Sequence, residues 1–268
     1  LPAADDDAAL IAAAAREAGT MALALAARGV SAWEKSPGNP VTDADIAIDR
    51  LLAARLRAAR PDYGWVSEES DDGLAPRRRS FLVDPIDGTR DFVRGRDGYA
   101  ISIAIVERGE LVAGVLCAPA RRQLFLARRG GGATLNDRPI RVTGTTSLTG
   151  ARLPVDPSAF SARIWAEPWA GVAVEKPNAI ALRIAKVANG EADALFDGRP
   201  ARALDIAAAV LILTEAGGVV SDHEGALPSF DRRDAGLKSL VAATPAIHAE
   251  LRARVADGLR RYTAMRQR

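Results

Sequence analysis

Cysteine is almost missing from this chain of 268 residues, and the single Cys117 excludes an internal disulfide framework or a metal centre built from several thiolates. Cys117 lies in the apolar run LVAGVLCAP, where a buried small hydrophobe is expected rather than a nucleophile. Histidine is nearly as scarce. His223 and His248 both lie outside the acidic blocks described below, so a histidine-centred mechanism is not expected, and His223, in the turn SDHEG, reads as a surface residue. An excess of one charge is lacking too. The 36 basic and 34 acidic side chains leave a net +2, which argues against a surface dedicated to a nucleic-acid polymer. Basic residues do cluster at Arg77, Arg78 and Arg79, at Arg121 and Arg122, and at Arg128 and Arg129. They read as solvated turns, with attraction of an anionic substrate as the sharper alternative. No apolar run reads as long enough to span a bilayer and no signal peptide is recognisable, so a cytoplasmic enzyme without a membrane partner is expected.

What is present is an ordinary globular composition, 48% hydrophobic and 26% charged, in a chain long enough for one large domain or two smaller ones. Residues 5–28 read as a helix opened by aspartates, which favour the positive helix N-terminus. GVSAWEKSPGNPVTDAD reads as a looser connection. Thr42 or Asp43 can cap a second helix reaching about Arg60, with Ile46, Leu51, Leu52 and Leu56 on one stripe and Pro61 closing it. The middle third reads as strands: YGWVSEES, SFLVDP, and a meander from Tyr99 to Asn136 with turns at Arg108-Gly109 and near Pro119–Arg122. Pro139 to Thr143 reads as one more short strand. Beyond residue 150, helices in AIALRIAKVANG and RALDIAAAVLILTEAGG alternate with strands in EADALFD, VVSD and SLVAAT, before a terminal helix over 245–263. The change of pattern predicts two α/β parts, residues 1–150 and 151–268, packed into one unit.

The chemistry concentrates in FLVDPIDGTRDFVRG, residues 81–95. Pro85 biases Asp84 toward an extended conformation at the end of the apolar run. The chain then turns, Asp87 can come back toward Asp84, Gly88 permits a tight path, and Thr89 brings a hydroxyl beside both acids. Clustered hard oxygens of this kind suit Mg²⁺. A lone D-x-x-D reads more readily as the cap of a helix starting near Thr89. Other acids stand at element ends as well: Glu68 and Glu69 in VSEES, Asp43 and Asp45 in PVTDAD, and Asp205 in ALDIAAA. Each has an account as a cap or a surface acid, yet four such places around one sharp turn are harder to read as four separate caps.

Together GNPVTDAD, WVSEES, LVDPIDGTRDFV and LDIAAAVLILTEAGG resemble the inositol monophosphatase superfamily of Mg²⁺-dependent, lithium-sensitive phosphomonoesterases, from about Lys35 to Gly218. That superfamily includes inositol monophosphatases, 3′(2′),5′-bisphosphate nucleotidases and some histidinol-phosphate phosphatases. The resemblance implies an α/β (α+β) fold, a layered α-β-α-β-α sandwich, with the site between the two parts and closed by Asp205. It implies Glu68, Asp84 and the Ile86 carbonyl as ligands of one Mg²⁺, and Asp84, Asp87 and Asp205 as ligands of a second. Glu68 would also touch a third ion through water. Thr89 and Asp45 would orient and activate the attacking water, while Asp87, Gly88 and Thr89 would hold the phosphate of a small phosphorylated substrate at the start of the next helix. Lithium inhibition is implied, and homodimers are common in the family.

The chain also departs from the family pattern. Leu204 stands where tryptophan usually precedes the late aspartate, a change expected to alter packing more than metal binding. Asn178 and Ala179 stand where glycine and threonine are expected, and with Arg183, Asp197 and Asp205 they are the candidate residues of the leaving-group pocket. Arg183 falls where some bisphosphate nucleotidases carry a basic residue, although this arginine, Arg199 and Arg202 each read individually as surface residues. An inositol monophosphate-like substrate is expected first, then adenosine bisphosphate, then histidinol phosphate. The reading from a different class is a non-catalytic phosphometabolite-binding protein. Asp91 follows the motif at a position the family does not fix and is expected on a helix surface.

Overall fold

Five layers alternate through the computed structural model of the chain, which describes residues 2–36, 39–70, 77–161, 163–230 and 236–267. The first layer holds α1 (Pro2–Arg28) and α2 (Asp43–Ala59), separated by the hairpin of β1 (Ala32–Ser36) and β2 (Asn39–Thr42). The stretch expected to be a loose connection therefore carries an antiparallel pair, with Trp33 opposite Val41. Pro37 and Gly38, which suggested the looser reading, lie outside the described residues.

The second layer is a seven-stranded sheet in sequence order. Its strands are β3 (Gly64–Ser67), β4 (Arg79–Asp87), β5 (Ala100–Glu107), β6 (Glu110–Ala118), β7 (Gln123–Arg128), β8 (Gly132–Leu135) and β9 (Arg138–Pro139), with a short α3 (Thr89–Val93) leaving β4. Among the described residues of this sheet, β3 and β4 pair in parallel and the other neighbours are antiparallel. The strand expected to reach Thr143 stops at Pro139, because the chain turns away and the Val142 N–H donates to the Ala216 carbonyl. Two small pairs follow in the second half, β10 (Arg152–Leu153) with β11 (Val172–Ala173), and β13 (Ala201–Arg202) with β15 (Gly236–Leu237). The third layer is α4 (Ile180–Ala188) and α5 (Ala203–Glu215). The fourth is an antiparallel sheet of β12 (Ala194–Asp197), β16 (Leu240–Ala243) and β14 (Val219–Ser221), and the fifth is α6 (Pro245–Arg266).

The pattern of side chains explains the stacking. Along β5, Ile101, Ile103 and Ile105 join the core under α1 and α2, while Ala100, Ala104 and Val106 join the core under α4 and α5. A strand covered on both faces becomes a nearly continuous apolar run, as AISIAIV is. Helix α5 is buried almost all round because it lies between the two sheets, and its alanines let it approach closely. A Cβ at Gly114 of β6 would come within 3.0 Å of the Ala208 backbone.

Three expectations change. Asp6–Arg28 is in fact long and apolar enough to cross a membrane, since its many alanines raise hydropathy without bulk. In the fold this helix buries Ala8, Ile11, Ala15, Ala18 and Ala22 against the sheet side and exposes Arg16 and Glu17. The buried stripe of α2 runs through Ile48, Leu52 and Leu56, with Ile46 and Leu51 only half-buried, because the Thr42 cap turns Asp45 and Asp49 inward. Two of the clustered arginines are pinned rather than solvated. Arg79 donates to Asp7 at 2.9 Å and to Glu107 at 3.0 Å, while Arg121 is held by Asp97 and Glu175. Cys117 is buried as expected, and burial raises its thiol to about 11.

Candidate active site

Parallel pairing brings the first two acids together. Ser67 lies opposite Val83, and the Glu68 N–H donates to the Val83 carbonyl at 3.2 Å, so Glu68 follows β3 beside Asp84. Asp84 and Asp87 are three residues apart, a spacing that would put them on opposite faces of a regular strand. The register shifts between them, with Asp84 opposite Ser102 but Asp87 opposite Ala100. This extra residue, placed where Pro85 has no N–H to donate, lets both acids reach one cavity. The Ile86 N–H donates to Asp84 Oδ1 at 3.1 Å and fixes that carboxylate. Gly88 then takes φ 90°, and a Cβ there would come within 2.7 Å of the Gly98 carbonyl and 2.8 Å of the Ala179 nitrogen.

The cap of α2 places Asp45. Its Oδ2 accepts the Thr42 N–H at 2.7 Å and the Thr42 hydroxyl at 2.6 Å, while the Asp45 N–H donates back to Thr42 Oγ1 at 3.2 Å. With Oδ2 engaged by the cap, Oδ1 faces the Thr89 hydroxyl at 3.5 Å, and that hydroxyl also reaches the Ile86 carbonyl at 3.0 Å. Burial raises Asp45 to about 6, against the Thr42 hydrogen bonds and with help from Glu69 and Glu68.

Asp205 enters from the first turn of α5. Ligand oxygens of Glu68, Asp84 and Asp205 lie within 4.8 Å of one another. Burial, then the nearby carboxylates of Glu68, Asp87, Asp205 and Asp45, push Asp84 well above the ordinary carboxylate range. Asp205 is also raised by burial, although Arg202 opposes this. Three converging hard-oxygen donors with mutually repelling charge fit a divalent cation.

The second wall of the cavity is the start of α4. Asp87 accepts the Ile180 N–H at 3.2 Å and the Ala181 N–H at 2.7 Å, so both of its oxygens cap this helix. Burial lifts Asp87 to about 7 despite these donors. Asp91, expected on a surface, is 8% exposed and accepts the Asn178 N–H at 3.0 Å. It is buried because α3 lies under the chain that leads into α4. Arg183 is buried as well, contrary to its surface reading, donating to the carbonyls of Pro177 at 2.7 Å and Asn178 at 2.9 Å and reaching Asp197 at 3.4 Å. Arg199 also holds Asp197, through Nη2 at 2.8 Å. His223 is half-buried rather than on the surface, with Nδ1 at 2.8 Å from the Ser239 hydroxyl.

The cleft has a volume of about 310 Å³ and brings Glu68, Asp84, Ile86, Asp87, Gly88 and Thr89 together with Asn178, Arg183, Asp197 and Asp205. Asp45 stands behind Thr89, and Ala179 is fully buried behind the wall. Leu204 packs into the core beside Asp205. Arg90, Arg199 and Arg202 also line the cavity. Arg202 is the contact that sequence reasoning missed: it joins Asp205 to Glu68. Its spacing of three from Asp205 at a helix start signals the first pairing, whereas nothing local signals the second.

Fold and site together are those of a phosphomonoesterase. The chain belongs to the inositol monophosphatase family, whose sequence profile matches residues 4–261. It is 37% identical to an inositol-1-monophosphatase of Mesorhizobium japonicum, over 74% of this chain and 77% of that protein. It is 36% identical to the Nus factor SuhB of Xylella fastidiosa, over 78% of each. Among solved structures, the Thermotoga maritima IMPase superposes with a TM-score of 0.82 at 27% identity, over 95% of this chain and 98% of that one.

Proposed function

We propose that this phosphatase hydrolyses a small inositol monophosphate-like ester with Mg²⁺ held by Glu68, Asp84 and Asp205. The observation that carries this reading is the convergence of those three carboxylates within 4.8 Å, beside the Thr89–Asp45 pair. When bound, divalent ions neutralise phosphate charge and lower the pKa of water there. Asp87 and the Ile86 carbonyl extend the oxygen set, and Asp87 ties it to α4. Thr89 orients the attacking water through its hydroxyl, and Asp45, raised to about 6, receives the proton that Thr89 relays. Gly88 and Thr89 hold the phosphate through a backbone that leaves no room for a Cβ at Gly88. Asn178, Arg183 and Asp197 shape the leaving-group pocket.

A second reading is favoured by the arginines. Arg90, Arg183, Arg199 and Arg202 line the cavity, which suits a substrate with a second anionic group, such as a 3′(2′),5′-bisphosphate nucleotide. Phosphate release from inositol 1-phosphate, adenosine 3′,5′-bisphosphate and histidinol phosphate, each with Mg²⁺ and with chelator, ranks the readings. Faster release from the bisphosphate reverses the order, and undiminished release in excess chelator overturns metal dependence. Millimolar-order lithium is expected to inhibit.

A further inference from the structure

Arg202 makes the contacts that a cation would make. Its Nη2 donates to Glu68 Oε1 at 2.6 Å and to Asp205 Oδ1 at 2.7 Å, while its Nε donates to Asp205 Oδ2 at 3.0 Å. Two of the three converging carboxylates thereby share one positive charge supplied from within the chain, Glu68 from 134 residues away and Asp205 from three. These are charge-assisted bonds to oxygens that a divalent ion would also need.

We propose that Arg202 is a built-in competitor of the metal, a latch across Glu68 and Asp205 that sets how tightly the site takes a divalent cation. The inference rests on the reading of those carboxylates as a metal site. The backbone at Arg202 is pinned, because β13 pairs Arg202 with Gly236 and α5 begins at the next residue. The side chain is 55% exposed, whereas those of Glu68 and Asp205 are 16% and 21% exposed. The latch therefore opens by side-chain rotation into solvent, with no core to repack. Both oxygens of Asp205 face the guanidinium in the latched form, so a metal ion entering there meets its positive charge and competes with it for the same carboxylate. A competitor that holds the closed form about ten to one weakens the apparent affinity about tenfold.

The test is a titration of the chelator-stripped full chain with Mn²⁺, counting free ion by its EPR signal. Arg202→Gln removes the charge and the fork, and its Mn²⁺ dissociation constant is expected to fall about tenfold, or about 1.4 kcal/mol. Arg202→Lys keeps the charge but not the fork and is expected between Gln and wild type. Arg199→Gln removes the same charge from the same cavity without touching Glu68 or Asp205, and its affinity is expected within about twofold of wild type. A second readout needs no ion count: saturating Mg²⁺ should raise the melting temperature more in Arg202→Gln than in wild type, since the variant has lost its internal cation. Equal affinity in wild type and Arg202→Gln overturns the latch. Equal tightening in Arg199→Gln and Arg202→Gln also overturns it, because the effect is then general charge. If Arg202→Gln does not fold, Arg202→Lys decides: tighter binding supports the latch and unchanged binding overturns it. A wild-type chain that binds no Mn²⁺ overturns the metal-site reading itself.

Discussion

Asp84 and Asp193 are equally sealed from solvent, 3% exposed each, yet their surroundings are opposite. Asp193 accepts the hydroxyls of Thr143 at 2.7 Å and Thr145 at 2.9 Å, together with the Arg152 N–H at 2.8 Å and its guanidinium at 3.0 Å. Burial alone would raise it, but these donors hold it well below the ordinary carboxylate range. Asp84 accepts the Ile86 N–H and otherwise faces the carboxylates of Glu68, Asp87 and Asp205, so it is pushed well above that range. A saturated carboxylate ties a fold together. An acid held among other acids is kept in place by rigid elements, here β4 and α5, and it costs stability until a cation arrives.

The largest effect should come from changing Asp84. Asp84→Asn is expected to lower kcat/KM at least about a thousandfold, roughly 4 kcal/mol of transition-state stabilisation. Its melting temperature in chelator should not fall, because a repelling charge has been removed. Asp193→Ala should do the reverse. It leaves Arg152, Thr143 and Thr145 without their shared acceptor, so stability to urea should drop by about 3 kcal/mol, while kcat/KM per folded enzyme stays within about threefold. A stability loss in Asp84→Asn as large as that in Asp193→Ala would dissolve the contrast between the two acids.

The sign of the pH dependence also separates the regions. Asp45 and Asp87 are raised from 3.8 to about 6 and about 7, so their contribution is fully present below 3.8 and is lost as pH rises through those values. Asp193 is lowered, and Glu175 is lowered from 4.5 to about 2 by Arg121 first, against burial, and by Lys186. Their contribution is present above the ordinary range and is lost as pH falls through the lowered values. In chelator the stability to urea should peak between about pH 4 and pH 6, with a fall on the order of 2 kcal/mol toward neutrality. Added Mg²⁺ should flatten that fall. A steady rise from pH 5 to pH 8 in chelator would show that the site acids are not strained.

Legibility followed the range of the interactions. The α2 start was readable because Thr42 and Asp45 are neighbours in a capping box, and the Asp84–Thr89 turn because proline and glycine force it. The five-layer order came through the family resemblance together with the apolar runs of β4 to β6 and α5. The buried state of Asp91 and Arg183 was not readable. Each depends on chain that arrives from a distant part of the sequence, as Asn178 does over Asp91. The same limit hid the Arg202–Glu68 contact. The alanine-rich α1 misled in another way: no run was read as long enough to span a bilayer. Yet its many small apolar side chains make Asp6–Arg28 long and apolar enough by length and composition, while the fold packs this helix against the sheet.

The smallest effect expected concerns Asp91, which is buried like Asp84 but, like Asp193, has an arginine rather than other acids beside it. Its Oδ2 receives the Asn178 N–H, and its Oδ1 lies 3.8 Å from Arg96, so it positions the pocket wall without reaching the cavity. Gly98 leaves no room for a Cβ beside this carboxylate. Asp91→Ala should let the chain before α4 drift, raising KM about fivefold, or about 1 kcal/mol, while kcat stays within about twofold. Asp91→Asn keeps an acceptor oxygen and should recover most of that loss. A hundredfold fall in kcat at unchanged KM would instead couple Asp91 to the chemistry through Asp87. The contrast between acids that hold the fold and acids that await a cation would then no longer divide at the cavity wall.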